Sequence, residues 1–132
     1  MNEPEVVRAM LAAKTIAVIG ISDDPTKASH YVSAYMQAHG HTILPVNPGL
    51  TTVLGERAYP SLSDLPGKPD VVNVFRLPKF LPAIVDEMIA LGLGQMWVQQ
   101  GIVHAEAAAR AEAAGIKVVM DRCIMVESRN RP

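Results

Sequence analysis

Apolar residues gather in five short runs, at residues 16–19, 42–46, 71–75, 96–98 and 117–120. The runs are rich in β-branched residues, carry almost no charge and do not alternate polar with apolar. Strands covered on both faces read this way, as in a parallel sheet. Between the runs the spacing becomes helical. Val32, Tyr35, Met36 and His39 recur at i, i+3, i+4 and i+7, with Gly40 as the stop. Leu81, Ile84, Val85 and Met88 repeat that stripe, with Pro78 and Pro82 near the start and Gly92 after the end. The Ala-rich stretch 105–114 has high helix propensity and closes at Gly115. A first helix is expected over residues 3–13, with Asn2 as its cap and Val7, Met10 and Leu11 facing inward. Residues 48–69 are the least regular and offer only a short helical turn at 61–65.

Strands alternating with helices imply right-handed crossovers and a parallel sheet between helical layers. The expected architecture is a single α/β domain over residues 1–132, a Rossmann-like three-layer fold. Its five-stranded parallel sheet is expected in the order 3-2-1-4-5. No internal repeat, low-complexity tract or linker divides the chain.

The size of the chain agrees with one domain: 132 residues, 49% apolar and 19% charged. Twelve Lys and Arg stand against thirteen Asp and Glu, a formal net charge of -1. No basic excess exists to drive bulk neutralisation of nucleic-acid phosphates, so no nucleic-acid partner is expected. One cysteine cannot form an internal disulfide. The apolar runs fall short of the roughly 20 residues that a membrane span needs. The start, Met1-Asn2-Glu3-Pro4-Glu5, has no apolar signal core behind it. A soluble, cytoplasmic protein is the expectation.

In an open parallel sheet, ligands sit at the carboxyl ends of the strands where the winding reverses. With the order above, that point lies between the first and fourth strands. The first strand runs into a loop from Gly20 to Ser29 and then a helix. Gly20 removes a side chain where a phosphate could approach, Ser22, Thr26 and Ser29 carry hydroxyls, and Lys27 adds a charge. The helix start offers free N–H groups and the positive dipole end. The plain alternative is a βα loop of turn residues with a capping hydroxyl. Neither G-x-G-x-x-G nor G-x-x-x-x-G-K-[ST] is present. The second strand ends in Val46-Asn47-Pro48 where an NAD enzyme would offer Asp or Glu to the ribose. Both absences argue against a plain NAD dehydrogenase.

A longer series of motifs points further. It comprises Ile16-Ala17-Val18-Ile19-Gly20-Ile21-Ser22, Ser29-His30, Leu44-Pro45-Val46-Asn47-Pro48 and Leu54-Gly55-Glu56. It continues with Tyr59-Pro60-Ser61-Leu62, Val74-Phe75-Arg76, Trp97-Val98-Gln99-Gln100-Gly101-Ile102 and Asp121-Arg122-Cys123. In this order and spacing the chain resembles the small stand-alone CoA-binding proteins, whose domain is similar to that of the succinyl-CoA ligase alpha subunit. The resemblance implies a 3'-phospho-ADP moiety across the carboxyl edge of the sheet, with coenzyme A as the ligand. Gly20, Ser22 and Ser29 would hold the pyrophosphate, and Val46, Asn47 and Pro48 would flank the adenosine. Phe75, Arg76 and Pro78 would close over the nucleotide or the start of the pantetheine arm, within reach of Gln100 and Gly101. Lys27 is a candidate phosphate partner, and His30 stands one turn into the helix. In this family Arg or Lys often follows Asn-Pro, whereas here Gly49 does. That departure bears on whether the 3'-phosphate is read.

Other residues have plainer readings. Cys123 could form a mixed disulfide with the CoA thiol, but a lone cysteine at a strand end is most simply a small buried hydrophobe. His39 and His41 flank a turn away from the ligand edge, and His104 opens the Ala-rich helix. Trp97 reads as core. No catalytic triad, paired-carboxylate site or metal-ligand spacing can be defended. The expected function is non-catalytic binding of CoA or acyl-CoA, with a protein partner that uses CoA as a further expectation. The alternatives are a subunit of an acyl-CoA ligase or transferase, and a module for another adenine nucleotide such as NAD(P).

Overall fold

The computed structural model describes residues 1–131, so Pro132, the last residue of the expected domain, lies outside the described residues. The five apolar runs are strands: β1 (Thr15–Ile19), β2 (Thr42–Val46), β5 (Val71–Val74), β6 (Gln95–Val98) and β7 (Lys117–Met120). They form one parallel sheet. A two-stranded antiparallel hairpin, β3 (Thr52–Val53) with β4 (Glu56–Arg57), is a separate ladder packed beside β2. Five helices accompany the strands: α1 (Pro4–Leu11), α2 (Ala28–Ala38), α3 (Leu81–Leu91), α4 (Ala105–Ala113) and α5 (Ile124–Arg129).

The strand order corrects the expectation. The sheet runs β2-β1-β5-β6-β7, which is 2-1-3-4-5 for the five main strands rather than 3-2-1-4-5. The reversal of winding therefore lies between β1 and β5, not between the first and fourth strands. The physical reason is visible in β2. Pro45 has no N–H to give a second neighbour, and proline within a sheet belongs on an edge strand. Its carbonyl points away from β1 and accepts the Tyr59 N–H at 3.0 Å. The third main strand must then cross back over β1, and right-handedness puts its connection on the opposite face. Accordingly Leu62 packs with α3 and α4 on one side of the sheet. Val7 and Met10 of α1, Val32 and Met36 of α2, and Ile124 of α5 pack on the other.

Helix ends follow local chemistry. The Leu81–Leu91 helix stops at Gly92 in the left-handed region (φ 69°), and His104 caps α4 by accepting the Ala107 N–H at 3.0 Å. Asn2 does not cap α1. The N-cap is Glu3, without a side-chain bond, and Asn2 instead exchanges two hydrogen bonds with the Met120 backbone, docking the chain start beside β7. Helix α5 and the hairpin were not expected from the periodicity, whereas the turn at 61–65 appears as a 3-10 helix, Leu62–Asp64. Trp97 is fully buried, its indole N–H donating to the Arg122 carbonyl at 2.8 Å.

Candidate functional site

At the carboxyl edge of the sheet, the ends of β1, β2, β5 and β6 open into three adjoining clefts. The first, about 260 Å³, lies between the β2 end and α3, lined by Val46, Asn47, Pro48, Arg76 and Phe80 among others. The second, about 350 Å³, lies between the α2 start and the β5 end, where Lys27, Ser29, Phe75 and Arg76 meet. The third, about 500 Å³, continues past Phe75 and Ile102 to Gln99, Gln100 and Cys123. Gly20 and Arg76 belong to both the first and second clefts, and Ala28, Phe75 and Ile102 to both the second and third. The three therefore form one furrow across the switch point.

Close backbone approach shapes the middle of this furrow. Gly20 has φ 85°, and a Cβ there would lie 2.3 Å from the Phe75 carbonyl oxygen. The missing side chain thus admits the β5 loop rather than leaving open space, and that loop brings Arg76 to the junction of two clefts. The Arg76 guanidinium lies 4.0 Å from the centre of the Phe80 ring and has no carboxylate within salt-bridge distance among the described residues. A half-buried cation held by an aromatic face and lacking a counter-ion is available to a phosphate.

The loop after β1 is held by its own hydroxyls. Ser29 Oγ accepts the Ser22 N–H at 2.9 Å, and Ser22 Oγ accepts the Asp24 N–H at 3.0 Å. Acceptance leaves the Ser29 hydroxyl proton free to donate into the second cleft, whereas Ser22 lies outside the cleft linings. Thr26 differs, because its hydroxyl donates to Asp24 Oδ1 at 2.8 Å. The Thr26 backbone N–H, followed by that hydroxyl, holds the Asp24 carboxyl below its usual range. The first N–H groups of α2 have no intrahelical acceptor, and Lys27 stands exposed at its N-cap.

Asn47 ties the two strand ends together. Its amide nitrogen donates to the Ile21 carbonyl at 2.8 Å, while its Oδ1 accepts the Gly49 N–H at 2.8 Å. Nine of the sequence-derived candidates line the furrow: Gly20, Lys27, Ser29, Val46, Asn47, Pro48, Phe75, Arg76 and Gln100. Four do not. Ser22 braces the loop behind it, His30 is half-buried on α2, and Pro78 opens the 3-10 helix that carries Phe80. Gly101 (φ 86°) gives its N–H to Asp121 Oδ1 at 2.8 Å. Phe80, Gln99 and Ile102 line the furrow without having been candidate site residues, and Cys123, weighed above as a mixed-disulfide partner, is half-buried and lines the third cleft. Gln99 had a signal, a polar residue directly after a buried strand; Phe80 had none.

The arrangement matches known proteins along most of its length. A family model described as a CoA binding domain covers residues 14–129. The chain belongs to this CoA-binding domain family. It is 40% identical over 125 residues to the uncharacterized protein YneT of Bacillus subtilis, covering 95% of this chain and 93% of that one. It is 27% identical to the alpha subunit of an ADP-forming acetate–CoA ligase II from Pyrococcus furiosus, of which it spans only 26%. Among solved structures, cell-free ID.343 from Thermus thermophilus superposes with a TM-score of 0.90 at 43% identity, covering 98% of each chain. The CoA-binding domain seen here is therefore related to acyl-CoA ligase subunits. Among the described residues no helix is long and apolar enough to cross a membrane.

Proposed function

We propose that this chain is a single-domain, non-catalytic module that holds coenzyme A along the furrow. The observation that carries this reading is the continuity of the three clefts, with the unpaired Arg76 cation at the junction of the first two. Adenosine fits the first cleft, between Pro48 and Phe80. The pyrophosphate fits the second, where Arg76, Lys27, the Ser29 hydroxyl and the α2 N-terminus converge. The pantetheine arm then follows Phe75 and Ile102 into the third. Binding at such a site is recognition: fixed donors and a dipole end hold the charged centre, and apolar walls hold the two ends. The single cysteine suits a reducing compartment, which supports a cytoplasmic location.

Isothermal titration with CoA, dephospho-CoA and NAD tests the proposal. CoA is expected to bind with a micromolar or lower Kd and to exceed NAD. Preference for NAD, or no binding of CoA by folded protein, would overturn it.

A further inference from the structure

We propose that the third cleft receives the acyl group of an aliphatic acyl-CoA, so that the preferred ligand is a thioester rather than free CoA. The inference rests on the CoA reading above and concerns the far end of the same furrow. Continuity is the first argument. An arm leaving the pyrophosphate passes Ala28, Phe75 and Ile102, which wall both the second and third clefts.

Chemistry and size come next. At about 500 Å³ the third cleft is larger than either of the others, and no charged side chain lines it. Tyr31, Val32, Met125 and Val126 are among its lining residues. Tyr31 stays 47% exposed although it is a large aromatic. Apolar surface left open beside a nucleotide site gains by covering, and a saturated acyl chain covers it without bringing a charge.

Gln99 supplies an independent argument. It is 5% exposed and lines this cleft. Its Oε1 accepts the Ile124 N–H at 3.0 Å, which leaves its amide nitrogen as the end that is not engaged in that bond. That nitrogen is not a buried orphan but is reached by solvent, so it is free to donate to an acceptor placed in the cleft. A thioester carbonyl oxygen is an acceptor at the right end of the ligand, whereas a thiol is a weak one. Cys123 shares the cleft; a disulfide between it and CoA is the competing occupant, which a reductant removes.

The test is isothermal titration of the intact protein, under reductant, with CoA and its acetyl, butyryl, hexanoyl and succinyl thioesters. Affinity is expected to rise about fourfold for each added methylene through the straight-chain series. Succinyl-CoA, with a terminal carboxylate in place of the butyryl methyl, is expected to bind no tighter than CoA. Equal affinities, or a preference for free CoA, would overturn the inference and leave the CoA reading standing. No binding of any member would overturn both. In Met125→Asp the hexanoyl-to-CoA affinity ratio is expected to fall to unity. Merely structural damage would lower both constants and preserve their ratio, which would count against the cleft assignment.

Discussion

At Gly20 one missing methyl group decides where two loops can meet. Any side chain there combines a left-handed backbone (φ 85°) with a Cβ set against the Phe75 carbonyl. The strain of that backbone alone costs about 1–2 kcal/mol, and moving the β5 loop adds to it. Gly20→Ala is therefore expected to lower the unfolding free energy by at least about 2 kcal/mol in urea titration. It should also displace Arg76 and weaken CoA; an unchanged urea midpoint would count against the close approach. Gly49 is the opposite case. It is exposed, its only close neighbour is Asn47 Oδ1 at 3.3 Å from an added Cβ, and it stands where the family often has a cation. Gly49→Arg is expected to tighten CoA about tenfold while leaving dephospho-CoA unchanged, since only CoA offers a 3'-phosphate to pair. Equal gains for the two ligands would show that this position does not read the 3'-phosphate.

Among the elements, the central strands are joined at their amino ends by Asp70. Its carboxylate accepts the N–H groups of Lys14 and Thr15 at 3.0 and 3.1 Å, and its own N–H reaches Thr15 Oγ1 at 2.9 Å. Its carbonyl accepts from Gln95, so β1, β5 and β6 meet at one residue. The Thr15 N–H first, then that of Lys14 and the Thr15 hydroxyl, hold the carboxyl below its ordinary 3.8. A carboxylate depressed in the folded state stabilises above the unfolded value and loses that contribution as pH falls through the folded one. Asp70→Asn is expected to flatten the acid limb of stability below about pH 4. Parallel wild-type and variant curves would remove this role.

The five main strands and the helices α2, α3 and α4 were legible because continuous apolar runs and 3.6-residue stripes are strong local signals. Strand order was not, since it depends on which strand can lack a neighbour, and in this chain only the missing N–H of Pro45 bears on that. Helix α5 was missed because six residues hold too few turns to show a period. The hairpin turns on Leu54 and Gly55, both with positive φ, and only the glycine advertises that conformation. For the site, loop chemistry indicated the right edge of the sheet. Phe80 and Ile102 enter it only through the folding of α3 and the loop after β6, contacts that no local pattern contains.

Taken whole, the furrow is built from distant parts of the chain: the loop after β1, the end of β2, the β5 loop with α3, and the segments after β6 and β7. Its two helical layers are otherwise separated by the sheet, with one apolar cluster on each face. A ligand lying across the carboxyl edge touches α2 from one layer and α3 from the other. It binds an assembled arrangement that the unfolded chain lacks, so its free energy adds to that of folding. At a CoA concentration one hundred times Kd the added stability is about 2.7 kcal/mol. For a chain of this length that corresponds to a rise in Tm of about 10 °C. Arg76→Gln removes the cation shared by the first two clefts while keeping a long side chain against Phe80. It is expected to keep the unliganded Tm and to lose most of the rise at the same CoA concentration. A full rise in the variant would move the phosphate-binding centre away from Arg76. An equal fall with and without CoA would make Arg76 a packing residue rather than a ligand contact.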